Sequence, residues 1–375
     1  MSYKEKYREL LEFKKRVDFN LTEPEVLVKL IEDARKKGEK VQKDMERLRR
    51  ISHEIVNVLT GKGIILRGES LEKIKLHHKR VVGIDGSFQL VGGSGGKWYA
   101  PISVARIIFE DGVGSQPHVD IFWAGVHEID ETDYPDPKSA ASLMMLSAES
   151  KAILNWGTLN KPSFVFIDGP IVDPPVMSVR GEDYIKNRCE GIKKCLEKSI
   201  VIGCVKRSRD RFYVRRLENL LSNTSAKDHL SQFLTDQHLM VYIFAHARAK
   251  KYFGPIFTKW IDISSANTTY KLYKKYGIYI TCLFFQKNMT SPVLRLDIPL
   301  LNPPEDNSKT DETVLQAVKA TNIWTYPGQD YPLPVILAHE KCNIREGCAQ
   351  VLYEEIITKS RTVDPYNQLI LTQLR

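Results

Sequence analysis

Two stretches of sequence decide the fold: RVVGIDGSF at residues 80–88 and SFVFIDGP at residues 163–170. Each is a short, mostly apolar run that ends in Asp-Gly, at Asp85 and at Asp168. Such runs are typical of buried strands, and Asp-Gly is typical of the turn that ends a strand. A carboxylate at the end of a buried strand costs free energy unless a partner offsets it. The two stretches therefore predict a functional site as well as a sheet.

The elements around these stretches predict the topology of the sheet. After the first Asp-Gly strand, residues 98–110 and 118–127 have strand patterns. Helices are predicted over residues 136–156 and 182–198, before the second Asp-Gly strand and before the apolar strand IVIGCVK at 200–206. Three meandering strands followed by helix, strand, helix and strand are the order of a ribonuclease H-like core. We therefore expect an α/β fold with a ribonuclease H-like mixed sheet, flanking helices and an N-terminal helical arm.

The N-terminal arm is predicted from the first 60 residues, which have a helical pattern. Apolar residues recur three or four positions apart from Leu27 to Leu59, opposite a face rich in charged residues. Such a narrow stripe is typical of a helix that pairs with a second copy or of one that lies on its own domain, and both alternatives remain open. The predicted domains are the helical arm at residues 1–62 and a second domain at residues 63–375.

Composition and charge narrow the class of protein. A chain of 375 residues with 42% hydrophobic residues can bury a sizeable core, which excludes disorder throughout. No run of about 18 apolar residues occurs, and the start is too charged for a secretory signal, so we expect a cytoplasmic protein without a membrane partner. The six cysteines have no zinc-site spacing. The formal net charge of +9 favours a polyanionic partner, and nucleic acid is one candidate.

A third acid comes from the helix between the two Asp-Gly strands. At helical spacing, Glu149 shares a face with Ile153 and Trp156, and we expect this face to pack on the sheet. Adjacent carboxylates repel one another unless a divalent cation lies between them. Asp85, Glu149 and Asp168 therefore predict an oxygen-rich site for manganese or magnesium, ions suited to phosphoryl displacement.

A basic cluster follows the strand at 200–206. Its cationic residues are Lys206, Arg207, Arg209, Arg211, Arg215 and Arg216. If this strand runs parallel to the one that ends at Asp168, the cluster opens at the same end of the sheet as the acids. Contacts from Lys206, Arg207 and Arg209 to DNA phosphates are one interpretation, and a solvated helix face is the other.

The sequence around His339 does not by itself decide the role of this residue. His339 is one of nine histidines, and a lone histidine is more often structural than catalytic. The apolar stretch PLPVIL at 332–337 is expected to be a strand, and a helix is expected within residues 338–359. His339 would lie where the two meet, so a structural role and a role at the edge of an active site both remain open.

Four motifs together carry a resemblance to a known family. They are the two Asp-Gly strands, IGCVKRSR at 202–209 and YPLPVILAHEKCNI at 331–344. Over about residues 80–357 the chain resembles the NurA family of archaeal and bacterial nucleases, which act beside the hexameric translocase HerA in processing DNA ends. The resemblance implies a ribonuclease H-like core, manganese-dependent digestion of single- and double-stranded DNA, and a homodimer.

The resemblance also implies roles for individual residues. The positions that match the family's active site are Asp85, Glu149, Asp168, Tyr331 and His339. The tyrosine would position the DNA strand, and the other four residues would hold the metal. The match of Glu149 rests on helix phase more than on a local motif, so Glu128 and Glu131 remain alternatives to it.

The sequence and the resemblance together predict a metal-dependent DNA nuclease. It would be an exonuclease with single-strand endonuclease activity that processes DNA ends with a HerA-type translocase in double-strand break repair. The alternative is a catalytically idle nucleic-acid clamp or adaptor for a translocase, but converging carboxylates would repel phosphate in such a clamp. A nucleotide-binding enzyme is disfavoured because the glycine-rich turn at 91–97 has neither a Walker A nor a GxGxxG pattern.

Overall fold

The computed structural model describes residues 23–92, 97–130, 136–172, 182–221, 226–248, 252–305 and 308–360. The described strands are β1 (Ile65–Arg67), β2 (Val81–Phe88), β3 (Val91–Gly92), β4 (Lys97–Phe109), β5 (His118–Asp130), β6 (Phe164–Asp168), β7 (Ile200–Val205), β8 (Ile256–Thr258), β9 (Ile261–Asp262), β10 (Tyr279–Gln286) and β11 (Leu294–Leu300). The described α-helices are α1 (Pro24–Gly61), α2 (Glu69–Glu72), α3 (Pro137–Thr158), α4 (Glu182–Leu196), α5 (Phe212–Leu220), α6 (Ala226–His229), α7 (Asp236–Ala247), α8 (Thr268–Lys275), α9 (Ser308–Trp324), α10 (Leu333–Cys342) and α11 (Glu346–Ser360).

The eleven described strands form one mixed sheet. Its main path has the order β1-β8-β10-β11-β7-β6-β2-β4-β3, while β5 pairs with β4 and β9 pairs with β10. β6 is parallel to β2 and to β7, whereas β2, β4 and β5 form an antiparallel meander. This is the predicted order of a ribonuclease H-like core with helical crossovers, so the predicted fold class is confirmed.

The parallel pairing brings the two Asp-Gly motifs to the same edge of the sheet. β2 and β6 align up to Ile84 and Ile167, so Asp85 and Asp168 are the next residues on neighbouring strands. β7 runs parallel on the other side of β6 and ends just before Lys206. Because the carboxyl ends of parallel strands meet at one edge, the acids and the start of the basic cluster lie together.

Helices cover both faces of the sheet. Side chains alternate between the two faces along each strand, and this alternation decides on which face each site residue lies. In β2, Val82 and Ile84 pack in the hydrophobic cluster that includes α3. Val81 packs in the cluster that includes α10. Successive side chains of a strand point to opposite faces, so Asp85 lies on the α10 side.

The structure corrects the prediction for the segment before His339. The stretch PLPVIL at 332–337 is not a strand but the beginning of α10. Pro332 caps this helix and Pro334 lies in its first turn, where a missing N–H costs no hydrogen bond. A short apolar run does not by itself distinguish a buried strand from a buried helix. The helix expected within 338–359 is likewise two helices, since the chain is extended at Asn343.

Gly83 allows α10 to approach β2 closely. A Cβ atom at this position would lie 2.1 Å from the backbone oxygen of Pro334. Gly83→Ala should therefore push α10 away from the sheet, lower the free energy of unfolding by about 1–3 kcal/mol and separate His339 from Asp85. Urea unfolding and Mn²⁺ titration would measure the two effects.

The control for Gly83→Ala is Gly38→Ala in α1, where a Cβ would have no atom within 4 Å. That substitution should stabilise the helix by about 0.5–1 kcal/mol. An unchanged unfolding free energy in Gly83→Ala would contradict the role given to the glycine.

The long helix α1 packs on the sheet domain through its C-terminal half. From Leu48 to Leu59 its apolar stripe is buried, and it contacts α7. Nearer its N-terminus, Leu27, Val28 and Ile31 are partly buried. Four further apolar side chains before Leu48 are between 43% and 58% exposed; they are Val26, Leu30, Val41 and Met45. Residues 1–22 of the predicted arm lie outside the described residues. Neither α1 nor any other described helix is long and apolar enough to cross a membrane.

Candidate metal centre

Asp85, Asp168 and His339 converge at the carboxyl edge of β2 and β6. One potential ligand atom of each residue lies within 4.8 Å of the other two, and we call this set the metal-ligand cluster. His339 Nδ1 is 2.8 Å from Asp85 Oδ2 and 3.7 Å from Asp168 Oδ2. The carboxylates are largely buried, whereas about half of the imidazole is exposed. The structure thus brings together three of the predicted site residues, with the histidine facing solvent.

Two residues of this cluster have raised pKa values. Burial and the nearby charge of Asp85 raise the pKa of Asp168, against the opposing effect of the Lys206 ammonium. The hydrogen bond to Asp85 raises the pKa of His339. The negative charge of Asp85 contributes to both shifts, and the two neighbouring carboxylates place an excess of negative charge at this edge. Two carboxylates and one imidazole nitrogen are donors that fit a divalent cation, which would offset that excess.

Lys206 and Tyr331 lie beside the metal-ligand cluster on the β7 side. Lys206 Nζ donates to Asp168 Oδ2 at 2.5 Å and lies 4.7 Å from the centre of the Tyr331 ring. The parallel pairing of β6 with β7, on which the predicted position of the basic cluster depended, accounts for this contact. Lys206, predicted as a phosphate contact, is therefore an immediate neighbour of a candidate metal ligand. Arg207 and Arg209 are exposed on the loop that follows.

Glu149 is buried on α3, as its helix phase predicted, and its carboxylate is paired. Glu149 Oε1 accepts a hydrogen bond from Arg188 Nη1 at 2.9 Å, and both side chains are at most 3% exposed. Arg188 also donates to the Ile171 carbonyl, just after β6, and to Ser150 Oγ. Within the described residues, the metal-ligand cluster does not include Glu149. Its role as a metal ligand stays a prediction.

Of the two alternatives to Glu149, only Glu128 lies in the described part of the chain. Glu128 Oε1 pairs with Lys97 Nζ at 2.6 Å across β4 and β5, and both side chains are about half exposed. Glu131 lies outside the described residues. The surface pairing of Glu128 gives it no contact with the metal-ligand cluster among the described atoms.

Arg188, the partner of Glu149, was not among the site residues predicted from the sequence. It lies on the apolar stripe of α4, where Ile185, Cys189 and Ile192 are also buried. A cation on the buried face of an amphipathic helix needs a partner. The position of Arg188 on this stripe therefore indicates a buried ion pair or hydrogen-bond network. The partner itself, Glu149, could not be identified from helical spacing because it belongs to another helix.

The basic loop after β7 is held in place by two side chains from other elements. Gln237 of α7 accepts a hydrogen bond from the Ser208 N–H and donates to the Lys206 carbonyl, both at 2.9 Å. Arg295 of β11 donates to Ser208 Oγ at 3.0 Å and to Asp210 Oδ2 at 2.5 Å. These contacts fix the backbone on either side of Arg207, so they position the cations of the loop relative to the metal-ligand cluster.

Gln237→Ala should loosen this loop without touching the metal-ligand cluster. Removing the amide takes hydrogen-bond partners from the Ser208 N–H and the Lys206 carbonyl, which costs about 1–3 kcal/mol if they stay buried. We expect weaker DNA binding and slower cleavage, while the affinity for Mn²⁺ stays the same. The control is Gln232→Ala, which loses a surface contact to Arg47. Equal loss of Mn²⁺ affinity and DNA affinity in Gln237→Ala would contradict a positioning role.

Comparison with models of protein families identifies the family of this chain. The family model described as the NurA domain matches residues 79–344, which is most of the chain. The chain belongs to the NurA family. The matched range contains the metal-ligand cluster together with Lys206 and Tyr331, so the resemblance seen in the sequence motifs is confirmed.

Solved structures similar to the chain include the NurA nuclease from Sulfolobus solfataricus. At 14% identity it covers 90% of this chain and 99% of its own, with a TM-score of 0.54. The catalytic domain of human endonuclease V covers 84% of this chain and 98% of its own, at 12% identity and a TM-score of 0.32. No curated protein sequence matches the chain. The NurA family is a family of nucleases, so this chain is a nuclease, and the donors of its metal-ligand cluster fit a divalent metal ion.

Proposed function

We propose that this NurA-family nuclease hydrolyses DNA at the metal-ligand cluster, with Mn²⁺ or Mg²⁺ as its cofactor. The observation that carries the proposal is the convergence of Asp85, Asp168 and His339 within 4.8 Å at one edge of the sheet. A divalent cation bound there supplies positive charge that activates water and stabilises the charge developing on the phosphate. Glu149, 2% exposed on the neighbouring helix, is proposed as a further acid of this site.

The residues around the cluster each have a proposed task. Asp85 and Asp168 hold the cation, and His339 orients the Asp85 carboxylate through its hydrogen bond or completes the ligand set. Lys206 Nζ lies beside Asp168 and would contact a phosphate oxygen if that carboxylate held a cation. Burial raises the pKa of Tyr331, so its hydroxyl keeps its proton and can donate to the DNA strand that it positions.

Cleavage of end-labelled DNA tests the proposed reaction. We expect products on a denaturing gel with Mn²⁺ or Mg²⁺ and none with a chelator. Labels at the 5′ or 3′ end separate the two exonuclease polarities, and circular single-stranded DNA tests the proposed endonuclease activity. DNA binding without cleavage under every ion would replace the nuclease proposal with the clamp or adaptor.

Removing the exposed cations of the basic loop should weaken DNA binding regardless of sequence. If Arg207 and Arg209 each contact one phosphate, Arg207→Ala/Arg209→Ala should reduce the slope of log K against log salt by about 2 for duplex DNA. Fluorescence anisotropy over a salt series would measure the slope. The control is Lys36→Ala/Lys40→Ala, which removes the same charge from exposed positions of α1. An unchanged slope would leave Arg207 and Arg209 as a solvated surface.

We also propose that the protein is a cytoplasmic homodimer that works with a HerA-type translocase in double-strand break repair. Membership of the NurA family supports a second copy and a HerA-type translocase as partners. A surface for one of them is provided by four exposed apolar side chains of α1, namely Val26, Leu30, Val41 and Met45. A second copy would cover that surface symmetrically. Light scattering of the full chain would test the dimer, and a monomeric mass at micromolar concentration would contradict it. The division at residues 62 and 63 stays a prediction.

A further inference from the structure

A second cationic cavity lies apart from the metal-ligand cluster, between α5, the end of α1 and the strands β8 and β9. Its volume is about 770 Å³, and we call it the α5 groove. The cationic residues that line it are Lys62, Arg215, Arg216 and Lys259. Asp262 is the acidic residue of the lining, and Phe212 and Trp260 are among its aromatic residues.

The charge of the α5 groove favours an anionic ligand. Arg215, Arg216 and Lys259 are exposed, and no salt bridge between described residues involves any of these three side chains or Asp262. Asp262 Oδ1 instead accepts hydrogen bonds from the backbone and hydroxyl of Ser264. The carboxylates of Asp262 and of Asp311, which contacts the lining residue Trp260, are thus outnumbered by the four cations of the lining. A concave surface with an excess of cations concentrates anions.

The aromatic rings of the groove narrow the class of anion. Phe212 and Trp260 are both partly exposed. The Phe212 ring packs against Tyr270 with 5.4 Å between ring centres, and Trp260 Nε1 donates to Asp311 Oδ1 at 2.7 Å. These contacts fix the orientation of both rings. Cations that follow a phosphate backbone, combined with aromatic rings on which unpaired bases stack, are typical of surfaces that bind single-stranded nucleic acid.

The groove is separate from the metal-ligand cluster but connected to it along the chain. In the sheet, β8 and β6 are separated by β10, β11 and β7, which corresponds to roughly 19 Å at about 4.8 Å per strand. The basic segment 206–216 runs from Lys206 beside the cluster to Arg215 and Arg216 in the groove. One nucleic-acid strand could therefore contact both places.

We propose that the α5 groove binds single-stranded nucleic acid, as a second contact for a strand whose other part lies at the metal-ligand cluster. Single strands are favoured over duplex because stacking on Phe212 and Trp260 requires bases that are not already paired. The proposal deepens the proposed function and rests on it for the identity of the strand as a substrate. Binding in the groove itself needs no metal.

The test measures binding of the full chain to fluorescently labelled oligothymidylate in the presence of a chelator. Arg215→Ala/Arg216→Ala removes two exposed cations of the groove and leaves the metal-ligand cluster unchanged. If each arginine contacts one phosphate, the slope of log K against log salt should fall by about 1.4, since a single-strand contact contributes about 0.7. The control Lys36→Ala/Lys40→Ala removes the same charge from α1 and should keep the slope of the unmodified protein.

The same measurement with blunt duplex DNA completes the test, and we expect the groove variant to bind duplex as the unmodified protein does. An unchanged slope on oligothymidylate, an equal loss in the control, or an equal loss on duplex would each overturn the proposal. Because the chelator prevents cleavage, the result does not depend on catalysis. Failure of the proposed function would appear separately, as single-strand binding by the unmodified protein with no cleavage when Mn²⁺ is added.

Discussion

Asp85→Asn should lower the rate of metal-dependent DNA cleavage by about a thousandfold, which corresponds to about 4 kcal/mol of lost transition-state stabilisation. Asp85 lies at the centre of the metal-ligand cluster. Its carboxylate contacts His339 Nδ1 at 2.8 Å, and, together with burial, its charge raises the pKa of Asp168. The folded chain without metal should keep its stability, because the substitution removes one of two carboxylates that repel each other. Asp168→Asn should cause a similar loss of activity.

Single-turnover cleavage and thermal unfolding with and without Mn²⁺ would measure these effects. Mn²⁺ should raise the melting temperature of the unmodified protein but not of Asp85→Asn, since a ligand stabilises only a fold that binds it. The control is Asp111→Asn, an exposed carboxylate that follows β4 at the opposite edge of the sheet. Full activity in Asp85→Asn would show that the cluster is structural.

Arg188→Ala should destabilise the fold by about 3–5 kcal/mol, the usual cost of leaving one partner of a buried ion pair uncompensated. Arg188 and Glu149 are both almost completely buried, and the guanidinium also donates to Ile171 and Ser150. The substitution therefore removes hydrogen bonds on three sides, including one to the segment that leaves β6. Urea unfolding would measure the loss of free energy. The control is Lys194→Ala, which breaks an exposed pair with Glu197 and should change stability little.

Glu149→Gln separates the two roles that this pair can have. The amide keeps the volume and a hydrogen-bond acceptor for Arg188, but it is a poor metal ligand. Glu149→Gln also leaves the buried Arg188 charge without a counter-charge, so some loss of stability is expected in either case. If Glu149 acts at the metal, cleavage by the folded variant should fall far more than this loss of stability explains. If Glu149 has only a structural role, the cleavage rate of Glu149→Gln should fall only as far as its loss of stability explains. Cleavage at the unmodified rate in a folded Glu149→Gln protein would remove Glu149 from the proposed site.

The sequence by itself determined the ribonuclease H-like strands β2, β4, β5, β6 and β7 and the edge at which the acids meet, but not the pairing of β8 to β11. Strand patterns, helix periodicity and the Asp-Gly turns are local features, and the rule that parallel strands end at one edge then places Asp85 beside Asp168. The burial of Glu149 also followed from helix phase. The segment at 332–337 shows the limit of such reasoning, because a short apolar run fits either a strand or a helix.

Only the tertiary structure decided which groups touch. His339 contacts Asp85 across 254 residues of chain, and this contact depends on the close approach of α10 to β2 that Gly83 allows. The pairing of Lys206 with Asp168 and of Arg188 with Glu149 likewise joins separate elements. Ion pairs and hydrogen bonds depend on distances of a few ångströms between side chains, and these distances are set by how helices pack on the sheet. The periodicity of the sequence shows which face of an element is buried, but not which side chain of another element meets it there.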